Sequence, residues 1–165
     1  MLMKIIFGLA LAVAIACVST LVLMPVPTAP EVRFAELSGE SFSTSELRGK
    51  VVLVNFWATY CASCMQEMPK IVETHNKFAA RGFETVAVAV RQDHPGRVAE
   101  VAARRALPFR VALDSSGQVA RGFGNVRITP TSFLIDKQGR MIRRYIGAPN
   151  WAEFHELVER ALASS

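Results

Sequence analysis

Apolar residues follow two different spacings along the chain, and each spacing predicts a different element. Residues 51–56, VVLVNF, form a short, β-branched and nearly continuous apolar run. Such a run is typical of a strand that is covered on both faces, as in a parallel sheet. After Cys61 the apolar residues recur at intervals of three and four, at Met65, Met68, Ile71, Val72 and Phe78. This second pattern predicts a helix that ends at Gly82.

The remaining residues continue the alternation of strands and helices. The predicted elements are strands at 83–90 and 111–113, helices at 95–107, 117–122 and 151–163, and a hairpin of 132–135 with 141–145. Strands that alternate with helices favour a sheet layered by helices. The sequence therefore predicts an α/β fold, a central mixed sheet flanked by helices, in one domain over residues 32–165.

The amino-terminal residues have a different composition. Residues 5–24 contain nothing more polar than Ser19 and Thr20 and follow Lys4 directly, a length that suits one membrane-spanning helix. We expect residues 1–24 to anchor the chain in the inner membrane, with the domain on the periplasmic or outer face. Cleavage as a signal peptide and lipidation at Cys17 stay open as alternatives. Residues 25–31, which begin PVPTAP, then form a short, stiff linker.

The chain is basic, with a formal net charge of +5. Its paired arginines, at 104–105 and 143–144, are not interleaved with aromatic residues. This pattern indicates a solvated surface and no nucleic-acid partner.

Cys61 and Cys64 lie where the predicted strand gives way to the predicted helix, the edge at which α/β folds place their sites. Residues three apart at the start of a helix share one face, so a small adjustment closes a disulfide. The positive end of the helix dipole favours an anion at Cys61, whereas Cys64 is one turn further in and should be more buried. This asymmetry predicts thiol-disulfide exchange, in which Cys61 attacks and Cys64 resolves.

The cysteine pair could in principle serve other chemistry. Zinc requires four ligands, but the chain has one C-x-x-C pair, and His75, His94 and His155 do not form a metal motif. Copper(I) requires only two thiolates, so a copper(I)-binding module is an alternative. A permanent disulfide over two intervening residues would constrain little chain entropy. His75 and His94 are expected to be exposed and have no assigned role.

The chain resembles the thioredoxin superfamily, and more narrowly its membrane-anchored periplasmic TlpA/ResA-like thiol-disulfide oxidoreductases, over residues 32–163. The resemblance rests on LRGKVVLVNFWATYCASC, on EMP after Cys64, on ITPTSFLIDKQGRMIRRYIG and on the terminal helix. It implies a thioredoxin-like sheet with an added helix and strand, which residues 95–113 match. It also implies that the redox-active pair, Cys61 to Cys64, works without a bound cofactor.

The resemblance further implies roles for residues around the pair. Pro130 matches a cis-proline beside the cysteines, which would present the backbone of Thr129 to an extended client. Glu67 matches a glutamate near the site, which could carry the exchanged proton provided that burial raises its pKa toward neutrality; an exposed helix glutamate is the alternative. Tyr60, which replaces the usual tryptophan before the first cysteine, is expected to contact the substrate. Trp57 is expected to form core and active-site wall, with substrate contact as its alternative.

The expected function is that of a periplasmic disulfide reductase for cysteine pairs of exported proteins, such as apocytochrome c or a copper-site protein. A membrane thiol carrier would supply the electrons. Ala62 and Ser63 replace the usual dipeptide between the cysteines, which leaves the reduction potential and the direction of electron flow open. A disulfide-donating oxidant is therefore the nearest alternative, and a copper(I)-binding or redox chaperone module is the alternative from another class.

Overall fold

The computed structural model describes residues 27–164, which form seven strands and four α-helices. The strands are β1 (Arg33–Glu36), β2 (Ser41–Ser43), β3 (Val51–Trp57), β4 (Phe83–Ala89), β5 (Arg110–Leu113), β6 (Thr131–Ile135) and β7 (Met141–Ile146). The helices are α1 (Ala62–Phe78), α2 (Pro95–Arg104), α3 (Gln118–Gly122) and α4 (Trp151–Ala163). Two 3₁₀ turns lie at Thr44–Leu47 and Ala79–Arg81.

The strands form one mixed sheet in the order β2-β1-β5-β4-β3-β6-β7. β3 is central, parallel to β4 and antiparallel to β6, and the predicted β6–β7 hairpin is confirmed. The segment 95–113, matched to an added helix and strand, forms α2 and then β5, which pairs parallel with β4. The antiparallel β1–β2 hairpin was not predicted, because each of its short strands contributes a single phenylalanine to the core.

The continuous apolar run of β3 is explained by helices and a hairpin on opposite faces of the sheet. Leu53 and Trp57 face the core beneath α1, α2 and α4. Val54 and Phe56 face the second core, which is formed with the β1–β2 hairpin and α3. Every residue of β3 is buried, so both alternating sets of side chains have to be apolar or internally paired.

Helix α1 begins where the sequence predicts and ends four residues earlier than predicted. Cys61 is its N-cap, and the α-helical hydrogen bonding stops at Phe78. The next three residues tighten into a 3₁₀ turn that Gly82 closes with a φ of 93°, a left-handed conformation that glycine adopts without strain. The glycine thus ends the turn that follows the helix.

The first described residues lie against the domain, although the sequence assigns them to the linker. Ala29 is buried, and its N–H donates to the carbonyl of Gly139 at 2.8 Å. The carbonyl of Pro27 accepts from the N–H of Met141, also at 2.8 Å. Residues 27–29 therefore belong to the packed domain.

The predicted membrane anchor at residues 5–24, together with Cys17, lies outside the described residues. Within residues 27–164, no helix has both the length and the apolar composition to cross a bilayer.

Candidate active site

Cys61 and Cys64 form a disulfide at the carboxyl end of β3, with their Cα atoms 5.2 Å apart. The strand delivers the chain to this point, and a turn at 58–60 leads into α1. The carbonyl of Ala58 accepts from the N–H of Cys61 at 3.1 Å, which closes the turn. The fold therefore places the pair at the edge of the sheet that the sequence predicts.

The two sulfurs have different surroundings. Cys61 keeps 9% of its surface exposed and Cys64 none, so a partner disulfide can reach only the first. The Cys61 sulfur accepts a hydrogen bond from the N–H of Cys64 at 3.2 Å and lies 3.5 Å from the Ser63 hydroxyl. Both groups can stabilise negative charge on that sulfur once the disulfide is reduced. The geometry suits Cys61 as the attacking and leaving thiolate, and Cys64 as the resolving thiol.

Glu67 lies one turn further along α1, with 5% of its surface exposed. Its Oε1 accepts from the Nδ2 of Asn55 at 3.0 Å, and Asn55 also donates to the Ser132 hydroxyl at 2.9 Å. Burial raises the pKa of Glu67 to about 7, against the smaller lowering effect of the Asn55 hydrogen bond. A carboxyl group with this pKa can take up or release a proton near neutrality.

Three buried polar atoms near the pair have no partner within the described residues. They are Glu67 Oε2, Asn55 Oδ1 and Trp57 Nε1. Asn55 and Trp57 are two positions apart on β3, so their side chains point to the same face of the sheet, towards α1. An unpaired polar atom that is buried costs about 1–3 kcal/mol, and such atoms concentrate where a fold serves chemistry as well as stability.

Asp93 fixes the turn before the disulfide, a role that the sequence analysis missed. Its Oδ2 accepts from the backbone N–H of Thr59 at 2.5 Å, and its Oδ1 accepts from the Thr59 hydroxyl at 2.7 Å. The N–H of His94 donates to the same Oδ1 at 2.9 Å. Asp93 thus ties the loop after β4 to the loop that carries Cys61. The two residues are 34 positions apart, so no local pattern announces the contact.

The peptide bond between Thr129 and Pro130 is cis. It precedes β6, whose Thr131 pairs with Phe56, so Pro130 lies level with the end of β3 and beside the disulfide turn. The Pro130 carbonyl accepts from the N–H of Gly147 at 2.9 Å. In contrast, neither the N–H nor the C=O of Thr129 is hydrogen-bonded within the described part of the chain. These two groups can pair with an extended client.

The large exposed apolar side chains of the described residues lie around this edge. They are Tyr60, Ile128 and Ile146, each about 60% exposed. Tyr60 directly precedes Cys61, and Ile146 pairs with Thr131 across the hairpin. Trp57, in contrast, is fully buried, so its side chain forms wall and core and is closed to direct contact with a client in this conformation.

The expectation that His75 is exposed is wrong. His75 keeps 9% exposure, lies 3.2 Å from the Thr85 hydroxyl and packs edge-on against Phe109. Its position continues the apolar stripe of α1 between Ile71 and Phe78, a signal that could have revealed its burial. Among residues 27–164, no group of three or more His, Cys, Asp or Glu side chains is placed to hold a metal ion.

Comparison with known proteins gives consistent results. The Redoxin family model matches residues 26–160. A thiol-disulfide oxidoreductase ResA from Bacillus thuringiensis subsp. konkukian is 31% identical over 132 residues, which cover 80% of this chain and 75% of the relative. The ResA of Geobacillus kaustophilus is 38% identical over 114 residues, 69% of this chain and 64% of the relative. The crystal structure of a thioredoxin-family thiol:disulfide interchange protein from Chlorobium tepidum superposes with a TM-score of 0.76 at 30% identity, covering 85% of this chain and 99% of that one.

Proposed function

We propose that this chain reduces disulfides in exported proteins. The proposal starts from its membership of the Redoxin family, as a protein thiol-disulfide oxidoreductase. The observation that carries the proposal is the asymmetry of the pair: one sulfur is reachable and capped by a helix N-terminus, and the other is sealed one turn inside. A permanent disulfide or a two-thiolate metal site would not require one sulfur to be accessible and the other buried.

The exchange begins with the reduced pair. The Cys61 thiolate attacks a sulfur of the client disulfide, forms a mixed disulfide and releases one client thiolate. Cys64 then loses its proton and attacks the Cys61 sulfur, which re-forms the internal disulfide and frees the second client sulfur. Two electrons pass from the protein to the client, and the client leaves as a dithiol.

Glu67 serves the second step. Its carboxyl group lies on α1, one turn beyond Cys64, and its pKa of about 7 lets the carboxylate accept the Cys64 proton near neutral pH. Asn55 holds the carboxyl in place through Oε1, which leaves Oε2 free for the proton. Both client thiolates take up protons from the solvent, and Glu67 returns its proton to the solvent before the next turnover.

Client docking uses the edge around the pair. The free backbone groups of Thr129 can add a short strand pairing with an extended client, and Tyr60, Ile128 and Ile146 offer apolar contact on either side. These contacts involve the backbone and the apolar surface near the client cysteine. They therefore suit client segments that are still unfolded, whose backbone is free to pair.

The cellular setting completes the proposal. The apolar run at residues 5–24 would hold the domain on the periplasmic face of the inner membrane, within reach of a membrane thiol donor. Cysteine pairs of apocytochrome c or of a copper-site protein are suitable clients, because both must be reduced before the cofactor can bind. The names of the relatives support thiol-disulfide exchange, and the direction of electron flow and the clients are our proposal.

The decisive experiment traps the client. Expression of Cys64→Ser in the native envelope should yield mixed disulfides through Cys61 that reducing agent releases, and the client cysteines are then identified. Cys61→Ser is the matched control and should trap nothing. Trapping by Cys61→Ser alone would reverse the two roles.

A second experiment addresses the direction of electron flow. Equilibration of the wild-type pair with glutathione should give a potential near the reducing end of the range of about −270 to −120 mV that such couples span. A value near −120 mV would favour the oxidant alternative. A pair that binds copper(I) but fails to cycle between dithiol and disulfide would favour the binding module.

A further inference from the structure

A groove of about 580 Å³ opens beside the disulfide edge and continues away from it. Tyr60 and Thr129 line it where it meets the disulfide and the cis peptide. The side chains of Arg91, Arg121 and Arg127 also line it, and we call this cavity the arginine groove. The docking edge described above accounts for its apolar residues, whereas the three arginines have no role in exchange.

Two of these arginines converge on one point. A Cβ built on Gly117 would lie 3.1 Å from Nη1 of Arg121 and 3.9 Å from Nε of Arg91. Two positive charges on the same part of a groove wall repel each other, and an anion bound beside them relieves that repulsion. Within the described residues, no carboxylate forms an ion pair with either group.

The groups that hold Arg121 and Arg127 in place are neutral. Nη2 of Arg121 donates to the carbonyl of Ser116 at 3.1 Å. Nε and Nη2 of Arg127 donate to the side-chain oxygen of Asn125 at 3.2 and 3.0 Å, in the amide orientation that satisfies both residues. Asn125 has a φ of 59°, so the loop adopts a left-handed conformation at the residue that orients Arg127. The positive charge is thus positioned without being neutralised.

One carboxylate lines the groove, and both of its oxygens already accept hydrogen bonds from the backbone. Asp114 keeps 2% exposure, and its two oxygens accept from the N–H groups of Val119 and Ala120 at the start of α3. It reduces the positive charge of the groove by one but does not fill the space between the arginines. The lining as a whole remains cationic.

We propose that the arginine groove binds acidic side chains of the client segment that flanks the reacting cysteine. This inference rests on the proposed function, because the groove meets the docking edge at Tyr60 and Thr129. Guanidinium groups form bidentate, charge-assisted hydrogen bonds with carboxylates, and the side chains of Arg91 and Arg121 both reach the part of the groove wall beside Gly117. The groove therefore selects, among unfolded segments with a disulfide, those with aspartate or glutamate beside it.

The test compares three peptides that share one oxidised Cys-Xaa-Xaa-Cys centre and differ only in their flanks, which carry glutamate, glutamine or lysine on both sides. The reduced full-length chain is mixed with each, and the second-order rate of disulfide reduction is measured at low and high salt. We expect the glutamate peptide to react about tenfold faster than the glutamine peptide at low salt, with the advantage lost at high salt.

Variants then locate the effect. Arg121→Gln should lower the ratio of the glutamate rate to the glutamine rate about threefold to fivefold, the value of one exposed to partly desolvated ion pair. The triple change of Arg91, Arg121 and Arg127 to glutamine should abolish the preference. Arg104→Gln, which removes the same charge from the exposed side of α2, is the control and should leave the ratio unchanged.

The outcomes separate this inference from the proposed function. No reduction of any peptide would overturn the proposed function itself. Equal rates for all three peptides, or a preference that survives the triple change, would overturn the arginine groove as an acidic subsite while leaving exchange intact. Rates that respond to the arginines only in nanodiscs of anionic phospholipid would assign the groove to the membrane surface, and would overturn the inference as well.

Discussion

Replacing Glu67 with glutamine should remove a pH dependence of stability that burial creates. The folded pKa of Glu67 is about 7, against 4.5 for an unperturbed glutamate, because burial disfavours its charged form. The folded state therefore binds this proton more tightly than the unfolded state does, and its stability falls as the pH rises from 4.5 through 7. The full difference corresponds to about 3 kcal/mol, most of which is lost between pH 5 and pH 8.

The assay measures the free energy of unfolding by denaturant at pH 5 and at pH 8, for the oxidised wild-type chain and for Glu67→Gln. Oxidation is essential because the disulfide keeps both cysteines from titrating. Glutamine can still accept from Asn55, and any constant cost of its buried amide cancels when the two pH values are subtracted. Contributions from groups elsewhere in the chain are common to both proteins and cancel as well.

We expect the wild-type protein to lose about 2–3 kcal/mol more than the variant between the two pH values. Glu100→Gln, at an exposed position on α2, is the control and should follow the wild type. Parallel pH profiles for wild type and Glu67→Gln, or a carbon NMR titration of Glu67 near pH 4.5, would contradict the reasoning. In that case Glu67 would be almost fully ionised at neutral pH and too weak a base to hold the Cys64 proton.

Three further predictions concern the elements around the pair. Ser63→Ala should slow alkylation of Cys61 by iodoacetamide below neutral pH about twofold to fivefold, because the thiolate loses one hydrogen bond. Asp93→Ala should lower the free energy of unfolding by about 2–3 kcal/mol and slow disulfide exchange, since two groups of Thr59 lose their partner. Lys137→Met should lower it by about 1 kcal/mol without affecting exchange, because Lys137 donates to carbonyls at the end of α4.

Each of these three predictions would be contradicted by a specific result. Unchanged alkylation in Ser63→Ala would mean that the hydroxyl turns away from the reduced sulfur. Wild-type stability of Asp93→Ala would mean that water replaces the carboxylate at Thr59, and slowed exchange in Lys137→Met would connect the end of α4 to the site. Glu156→Ala, on the exposed face of α4, is the common stability control and should stay within about 0.5 kcal/mol of the wild type.

The central part of the fold was predictable because its signals are local. The β-branched run at 51–56 is typical of a strand buried on both faces, and the change to helical spacing at Cys61 sets the junction at which the disulfide forms. Contacts between distant residues were not predictable in this way. Asp93 meets Thr59 only because β4 lies beside β3, and nothing near either residue marks the pair.

The parts of the site also differ in how far the sequence predicts them. Cys61, Cys64 and Glu67 share one helix, so their spacing alone places them together. The arginine groove draws Arg91, Arg121 and Arg127 from the end of β4, from α3 and from the loop before β6, and only the folded chain shows that they converge. The burial of His75 was predictable in principle, since its position on the apolar stripe of α1 was visible in the sequence.

Residues 27–29 attach to the turn at Gly139, beside the start of β3, whereas the disulfide lies past the other end of that strand. β3 is seven residues long, so roughly 20 Å of sheet separates the point of attachment from the sulfurs. A tether upstream of residue 27 would therefore attach at the end of the domain opposite the disulfide, and would leave the disulfide edge accessible. A bulky partner fused ahead of that residue should leave catalysis intact, and the same partner inserted after Ile146 should block it.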